Sequence, residues 1–222
     1  MLTASSEGVI WKQLLLFFFP ILLGTFFQQL YNTVDTVIVG RFVGDNALAA
    51  VGGTTSVVIN LLVGFFVGLS SGATVVISQY FGAGDYESLD HSVHTSAALS
   101  LAGGAVITVL GLAFSPMVLR AMNTPEEVLP LAIQYIEIYF AGSIAVVIYN
   151  IGSGILRALG NSRLPLFFLI ICCLVNIVLD LLFVLIFHWG VMGVAVATLF
   201  SQVVSAILTV IALCHVDALY RL

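Results

Sequence analysis

The chain has 222 residues, of which 61% are hydrophobic and only 8% are charged, and its mean hydropathy is +1.18. Soluble domains carry about 25% charged residues, so this composition excludes a soluble globular protein and predicts an integral membrane protein. The formal net charge of −5 gives no basis for binding nucleic acid. The three cysteines, Cys172, Cys173 and Cys214, fall within or at the end of apolar segments and predict no structural disulfide.

Uncharged apolar runs recur along almost the whole chain, and each approaches or exceeds the roughly 20 residues that a helix needs to cross a bilayer. Transmembrane barrel strands would be about half as long and would alternate in polarity. We therefore predict an all-α lobe of six transmembrane helices over 13–214, between an N-terminal segment 1–12 and a tail 215–222. The predicted helices cover 13–40, 47–79, 92–119, 130–156, 165–187 and 191–214.

The second predicted helix is ambiguous. Residues 46–84 carry no charge and would accommodate one long tilted helix or two short passes with a turn at Gly52-Gly53. One long helix is favoured because its apolar centre is single. Gly64, Gly68 and Gly72 then form a ridge of small residues suited to close packing against a neighbour.

The orientation of the helices follows from the distribution of basic side chains. Cytoplasmic loops carry an excess of Lys and Arg, and here most of them flank the helices on the N-terminal side. Both termini are therefore expected in the cytoplasm. The basic residues on the N-terminal side are Lys12, Arg157, Arg163 and Arg221, against Arg41 and Arg120 on the opposite side.

Three acidic residues lie clearly within predicted helices: Asp35, Glu137 and Asp180. A charge in the hydrocarbon core costs about 2.5–3.5 kcal/mol on insertion scales, so each is a functional candidate. For Glu137, close to Pro130, we favour a position at the outer interface. Counting about 1.5 Å per residue from the outer helix ends places Asp35 roughly 9 Å deep and Asp180 roughly 12 Å deep.

Two further polar residues fall in the layer of Asp35 and Asp180. Asn176 precedes Asp180 by one helical turn, and Thr198 of the sixth helix lies about 10 Å deep. Two carboxylates, an amide and a hydroxyl are hard oxygen ligands that suit a small cation, and two carboxylates in a low dielectric also favour keeping a proton. We call Asp35, Asn176, Asp180 and Thr198 the acid site and predict that it binds the coupling ion, Na⁺ or H⁺. The alternative, that these acids are merely capped and hydrogen-bonded, is disfavoured by their cost and shared depth.

The first helix carries a second polar signal. Gln28, Tyr31, Asn32 and Asp35 follow the i, i+3, i+4, i+7 spacing of a single helix face, and this stripe predicts the wall of a cavity. Pro20 removes a backbone hydrogen bond below the stripe and permits a kink, so it is the predicted hinge. The residues expected to line the substrate cavity are Gln28, Tyr31, Asn32 and Asn150.

Two patterns typical of enzymes or metal sites are disfavoured. The sequence "GAGD" at 82–85 matches the GxGD pattern of intramembrane aspartyl proteases, but the polar segment that follows Asp85 marks a membrane boundary where water is not excluded. His91 and His94 form an H-x-x-H pair without a third ligand nearby except Asp90, which favours a solvated loop face. We therefore expect no enzymatic activity.

Four motifs resemble a known family in order and spacing: "VDTVIVGRFVGDNALAAVG", "ISQYFGAGD", "RALGNSRLPL" and "NIVLDLLFV". They are similar to motifs of the multidrug and toxic compound extrusion (MATE) transporters, over about residues 12–215. The resemblance implies cation-coupled antiport that exports amphipathic, often cationic drugs or toxic compounds across the bacterial cytoplasmic membrane, with no cofactor beyond the coupling ion. By the same resemblance, the acid site matches the family's N-lobe cation site, Gln28 falls in its substrate cavity, and Pro20 matches the proline where helix 1 bends.

The chain departs from the family pattern in one respect. Members normally have twelve helices in two six-helix lobes, and alternating access needs one lobe to move against the other. The expected partners are a small organic substrate, membrane lipid, and either a C-terminal lobe or a second copy of the chain. We favour a truncation, with 215–222 as the start of an interlobe linker. The remaining alternatives are a non-transporting structural half and a lipid or lipid-linked flippase of the same superfamily, which would need a cationic cavity although the predicted spans hold no Lys or Arg.

Overall fold

The computed structural model describes residues 10–215, so most of the predicted segment 1–12 and of the predicted tail 215–222, including Arg221, lies outside the described residues. Every regular element within 10–215 is a helix. The elements are α1 (Ile10–Phe42), α2 (Asp45–Gly52), α3 (Thr54–Ala83), α4 (Tyr86–Ala121), α5 (Leu129–Ala141), α6 (Ser143–Ala158), α7 (Arg163–Leu181), a π-helix (Leu182–Ile186) and α8 (Gly190–Cys214).

These elements form six spans if each interrupted pair is one crossing, as the sequence predicts. Asp45–Ala83 is long and apolar enough to cross as one span, whereas α5 and α6 are long enough only as a pair, which is bent by 49° at Gly142. The seventh helix runs on directly into the π-helix. An all-α multi-pass membrane lobe is therefore confirmed.

Gly53 separates α2 from α3. Its amide donates to the Ala49 carbonyl oxygen at 3.0 Å, and a Cβ atom at this position would collide with that same oxygen. Only glycine allows this approach. The ambiguity of the second helix is thus resolved as a single span with a break at the predicted Gly52-Gly53 position.

The fourth helix begins at Tyr86, earlier than the predicted start at residue 92. Asp85 is its N-cap, and the carboxylate accepts a hydrogen bond from the Ser88 amide at 3.1 Å. This cap satisfies a donor that would otherwise be orphaned at the helix end, so the helix extends into the polar segment. His91 and His94 therefore lie on a helix, and the expectation that they lie on a loop was wrong.

Close helix crossings at small residues hold the lobe together. The α6 helix contacts α3, α4 and α8 and has most of its side chains buried. Gly154 lies against the hydroxyls of Ser70 and Thr74, and Gly152 lies against the methyl group of Thr209. These crossings place α6 at the centre of the lobe and fix the helices that line the site described below.

The glycine ridge of α3 faces away from this core. Gly64, Gly68 and Gly72 are exposed, and no described atom lies within 4 Å of the position that a Cβ atom would take. The predicted close packing of this ridge against a neighbour is therefore absent between residues 10 and 215.

Candidate functional site

The acid site forms where α1, α7 and α8 meet. The Thr198 hydroxyl donates to Oδ2 of Asp35 at 3.5 Å, and Nδ2 of Asn176 donates to Oγ1 of Thr198, also at 3.5 Å. The Asp180 carboxyl group lies near that of Asp35. The exposed fractions are 5% for Asp35, 4% for Thr198 and 0% for Asn176 and Asp180. The structure thus brings together all four residues that the sequence assigned to one layer.

The backbone around Asp180 changes form immediately after the carboxylate. The π-helix Leu182–Ile186 follows, and its i→i+5 bonds turn the chain differently from an α-helix. Phe183 stacks on Trp189 with ring centroids 5.0 Å apart, and Phe187 stacks on both rings at 5.6–6.0 Å. This aromatic cluster occupies the end of the lobe beyond Asp180.

Four oxygen atoms of the acid site are buried without a hydrogen-bond partner among the described residues. They are Oδ1 of Asp35, Oδ1 of Asn176 and both carboxylate oxygens of Asp180. Burying an unpaired carboxylate costs far more than burying a satisfied group, and two adjacent carboxylates cannot both stay charged without a counter-ion. The arrangement therefore suits a proton or a small hard cation that takes oxygen ligands.

Soft metals fit the site poorly. Within 10–215, no group of three or more His, Cys, Asp or Glu side chains is placed to hold a metal ion. The donors of the acid site are two carboxylates, an amide and a hydroxyl, a set that favours alkali or alkaline-earth cations over transition metals.

A cavity of about 210 Å³ lies next to the acid site. It is lined by all four residues predicted for it, Gln28, Tyr31, Asn32 and Asn150. Asp35 and Thr198 also lie on its wall, whereas Asn176 and Asp180 do not. The acid site therefore has one side on the cavity and one side sealed within the lobe.

Sequence reasoning missed several residues on the cavity wall. Gln202 lies one helical turn after Thr198, and its Nε2 donates to the Tyr31 hydroxyl at 3.5 Å. Polar residues spaced by four positions in otherwise apolar helices were the available signal. The missed polar lining residues are Thr36, Ser56, Asn60, Tyr135, Tyr139, Tyr149 and Gln202.

Pro20 and Glu137 lie outside the cavity wall. Pro20 is buried within α1, which continues without a break from Ile10 to Phe42. A bend of this helix at Pro20 stays a prediction. Glu137 is half-buried in α5 and does not join the acid site.

The two disfavoured patterns have structural explanations. Asp85 is an exposed helix cap. Hydrogen bonding from the Ser88 side chain, and to a smaller extent from the Ser88 amide, lowers the pKa of the Asp85 carboxyl group. His94 lies one turn after Asp90, with Nδ1 3.0 Å from the Asp90 carbonyl oxygen and 3.4 Å from its carboxylate. Asp85 thus caps the start of α4, and His94 interacts with Asp90 within the same helix.

The chain is similar to known proteins over most of its length. The MatE family model matches residues 20–182. The probable multidrug resistance protein YpnP of Bacillus subtilis (strain 168) is 33% identical over 197 residues, which cover 89% of this chain and 44% of that protein.

Two solved structures are similar in fold. A MATE structure in the bent conformation aligns with a TM-score of 0.88 and 32% identity, covering 97% of this chain and 48% of that one. A MATE structure in the straight conformation aligns with a TM-score of 0.85 and 32% identity, covering 96% and 47%. The chain thus spans about half the length of these proteins. The family-model match over most of the six spans and the shared fold confirm the resemblance of the four motifs, and they show that the chain belongs to the MatE family of multidrug and toxic compound extrusion transporters.

Proposed function

We propose that the protein exports amphipathic organic compounds in exchange for Na⁺ or H⁺, with this chain acting as one six-helix lobe of an antiporter. The observation that carries the proposal is the position of Asp35 and Thr198, which belong to both the acid site and the cavity wall. An ion at the acid site and a compound in the cavity would therefore act on the same carboxylate. Such competition at one group is what couples two fluxes in an exchanger.

The coupling begins with the charge of Asp35. When Asp35 is bare, its carboxylate attracts a cationic compound into the cavity. When a proton or Na⁺ satisfies Asp35 and Asp180 together, that attraction is lost and the compound leaves. We propose that α1 bends at Pro20 in the same step and narrows the cavity beside Gln28. Solved MATE structures in a bent and in a straight conformation support a change of this kind.

A second lobe is part of the proposal, because alternating access needs two bodies that move against each other. Asn32, Thr36 and Asn60 line the cavity and are exposed in the middle of hydrophobic helices. Exposed amides and hydroxyls are unfavourable against lipid tails, so this face is expected to border water or a second lobe. That lobe is a C-terminal lobe or a second copy of the chain.

We propose that the protein lies in the bacterial cytoplasmic membrane, with both termini in the cytoplasm. The excess of Lys and Arg on the N-terminal side supports this orientation. A lipid flippase is less well supported, because the cavity-lining residues between 10 and 215 include no Lys, Arg or His to bind a phosphate head group. The organic substrate is instead expected to be neutral or cationic.

The experiment is gradient-driven transport in proteoliposomes. The full-length protein is reconstituted, and the flux of a fluorescent cationic dye is recorded under a Na⁺ gradient or, separately, a proton gradient. One of the two gradients should drive flux, and Asp35→Asn or Asp180→Asn should reduce that component by about 100-fold, the upper range of coupling between two sites. Glu137→Gln is the matched control, since Glu137 is a membrane acid outside the acid site. Gradient-driven flux that survives both aspartate substitutions would falsify the proposal.

A further inference from the structure

An apolar groove of about 340 Å³ lies between α3 and α4, with Phe140 of α5 in its wall. Gly111 of α4 makes room for the Phe140 ring, which a Cβ atom at this position would overlap. Leu110 lines the groove and is 49% exposed, so the groove is open along the outside of the lobe. Of the lining residues between 10 and 215, Ser115 alone has a polar side chain. The groove is thus a hydrocarbon-like surface with one hydroxyl.

The groove faces away from the cavity. Val58 and Leu62 line the groove, whereas Asn60, which lies between them in sequence, lines the cavity. Successive residues of an α-helix are turned by about 100°, so residues two positions apart point in nearly opposite directions. The second lobe proposed above would cover the face of α3 that carries Asn60. The groove on the opposite face therefore borders the hydrocarbon of the membrane.

Ser115 does not use its hydroxyl hydrogen within the described part of the lobe. Its side chain is 97% buried, since 3% is exposed, and its Oγ has no partner among residues 10–215. Serine side chains in helices commonly donate to a carbonyl three or four residues earlier. Ser92, Ser96 and Ser100 of the same helix do so at 2.6–2.7 Å. A buried hydroxyl without an acceptor is unfavourable, so Ser115 is suited to an acceptor from outside the chain.

Water is a poor occupant of this groove. A buried water molecule typically makes about three hydrogen bonds, and Ser115 is the one polar side chain that the described wall offers it. An unfilled groove would leave its lining atoms without van der Waals partners. The occupant must therefore bring apolar surface along most of its length and one acceptor for the hydroxyl.

The depth of the groove indicates what that occupant is. The α4 helix has 36 residues, which makes it roughly 54 Å long. The hydrocarbon core is about 30 Å thick, so a helix of this length centred in the bilayer extends roughly 12 Å beyond it at each end. Ser115 lies roughly 9 Å from the end at Ala121, which places it just outside the hydrocarbon, in the layer of the lipid ester groups. Ile107, also on the groove wall, lies about 12 Å deeper, among the acyl chains.

We propose that the groove binds one acyl chain of a diacyl glycerolipid and that the Ser115 hydroxyl donates a hydrogen bond to the ester carbonyl of that chain. In the orientation given above, the lipid belongs to the outer leaflet. It stays bound to the surface of the lobe and is not an exported compound. The inference therefore goes beyond the proposed function, and the failure of either leaves the other intact.

The test compares two phosphatidylglycerols with the same saturated chains, one with ester and one with ether linkages. An ether lipid fills the groove equally well but has no carbonyl oxygen for Ser115. The full-length protein is purified in detergent and incubated with an equimolar mixture of the two. Native mass spectrometry then counts the bound lipids and separates the two kinds by mass. The wild type should retain the diester lipid in this groove about fivefold more often than the diether lipid, the effect of one neutral hydrogen bond.

A pair of tryptophan substitutions identifies the lipid that lies in the groove. Leu110→Trp fills the groove from a half-exposed position, so the protein should bind one lipid fewer, and the lost lipid should be the one with the fivefold preference. Leu112→Trp is the matched control, because Leu112 is 41% exposed on the same helix but does not line the groove. It should leave the number of bound lipids unchanged.

A pair of alanine substitutions tests the hydroxyl. Ser115→Ala leaves the apolar wall in place, so a lipid should still bind, but the diester and diether forms should be retained equally. Ser100→Ala is the matched control, since Ser100 is a buried serine of α4 whose hydroxyl donates to the Ala97 carbonyl oxygen, away from the groove. It should keep the fivefold preference.

Each part of the inference has its own contrary result. Equal retention of the two lipids by the wild type, which requires no variant, would overturn the hydrogen bond to the ester carbonyl. Equal numbers of bound lipids in Leu110→Trp and Leu112→Trp would overturn the groove as a lipid site. A fivefold preference that survives Ser115→Ala would show that another donor reads the carbonyl and would overturn the role of Ser115.

Discussion

The acid site and the cavity share Asp35 and Thr198, yet they satisfy their polar atoms in opposite ways. On the cavity wall, the hydroxyls of Thr36 and Ser56 and one amide hydrogen of Asn150 bond to backbone carbonyls, and water or a ligand can reach the rest of these polar groups. In the acid site, the oxygens of Asn176 and Asp180 are sealed without a partner among residues 10–215. Water can solvate the first region at little cost, but the second is stable only with a proton or a cation. Ion selectivity and compound selectivity are therefore expected to depend on different atoms.

The sharpest way to test this separation is Asp180→Asn. Asp180 is fully buried and does not line the cavity, so its neutralisation should remove the effect of the ion while leaving the compound site intact. In the wild type, raising the concentration of the coupling ion should weaken binding of a fluorescent organic cation, protonated 1-naphthylmethylamine. In Asp180→Asn this dependence should fall by about 100-fold, while ion-free affinity stays within about threefold of wild type.

Asp35→Asn provides the contrast. Asp35 lies on the cavity wall, so its substitution should remove the ion dependence and also weaken ion-free binding of the amine by about tenfold, the loss of one charged partner. If the two aspartate variants lose ion-free affinity equally, the compound contacts both carboxylates and the separation of the two regions is wrong.

A smaller effect is expected from Thr198→Val, which breaks the hydroxyl contact between the two regions. Thr198 donates to Asp35 and accepts from Asn176. Its loss should weaken ion binding by about tenfold, because one hydrogen bond to a charged group disappears. The measurement is the ion concentration that displaces half of the bound amine.

Thr209→Val is the matched control for Thr198→Val. Thr209 is also a fully buried threonine of α8, but its hydroxyl donates to the Ser205 carbonyl oxygen, far along the helix from the acid site. Its substitution should leave ion affinity unchanged. Equal shifts in the two variants would mean that α8 responds to any lost hydroxyl and that Thr198 has no specific part in ion binding.

The acid site could be predicted from sequence because each of its members interrupts an apolar helix. Asp35 is the one charged residue between Lys12 and Arg41, and Asp180 is the one charged residue between Arg163 and His188. The constant rise of an α-helix converts their distance from the helix ends into a depth. Depth and helix face together were sufficient to bring them to one layer. The proximity of the two carboxyl groups then follows from the packing of α1 against α7.

The cavity was predicted less completely, for a physical reason. The stripe on α1 shows which face of that helix is polar, but it does not show which helices lie opposite. Tyr135, Tyr139 and Gln202 reach the cavity only because α5 and α8 pack around it. In sequence, their spacing is equally typical of tyrosine and glutamine side chains that pack at the edge of a hydrophobic core.

The interruptions of the helices depend on tertiary contacts in the same way. Gly142 marks the bend between α5 and α6, where a Cβ atom would press against Leu199 of α8. The π-helix after Asp180 contains Phe183, whose ring stacks on that of Trp189. Leu199 is far from Gly142 in sequence, and helical periodicity does not show ring stacking, so periodicity alone predicted continuous helices.

The smallest expected effect comes from moving the cavity wall without altering any polar group. Gly53→Ala places a Cβ atom against the Ala49 carbonyl oxygen, so α2 must shift relative to α3. Overpacking of this kind costs about 1–3 kcal/mol, and the unfolding temperature should fall accordingly. Gly52 lies on the cavity wall beside the break, so affinity for 1-naphthylmethylamine should fall by about threefold, a small loss of packing contacts. The acid site lies between other helices, and the ion concentration that displaces half of the bound amine should not change.

Gly82→Ala is the control, since no described atom lies within 4 Å of its Cβ position and it should affect neither binding nor unfolding. A change in ion affinity in Gly53→Ala alone would show that α2 acts on the acid site, and the two regions would then have to be treated as one.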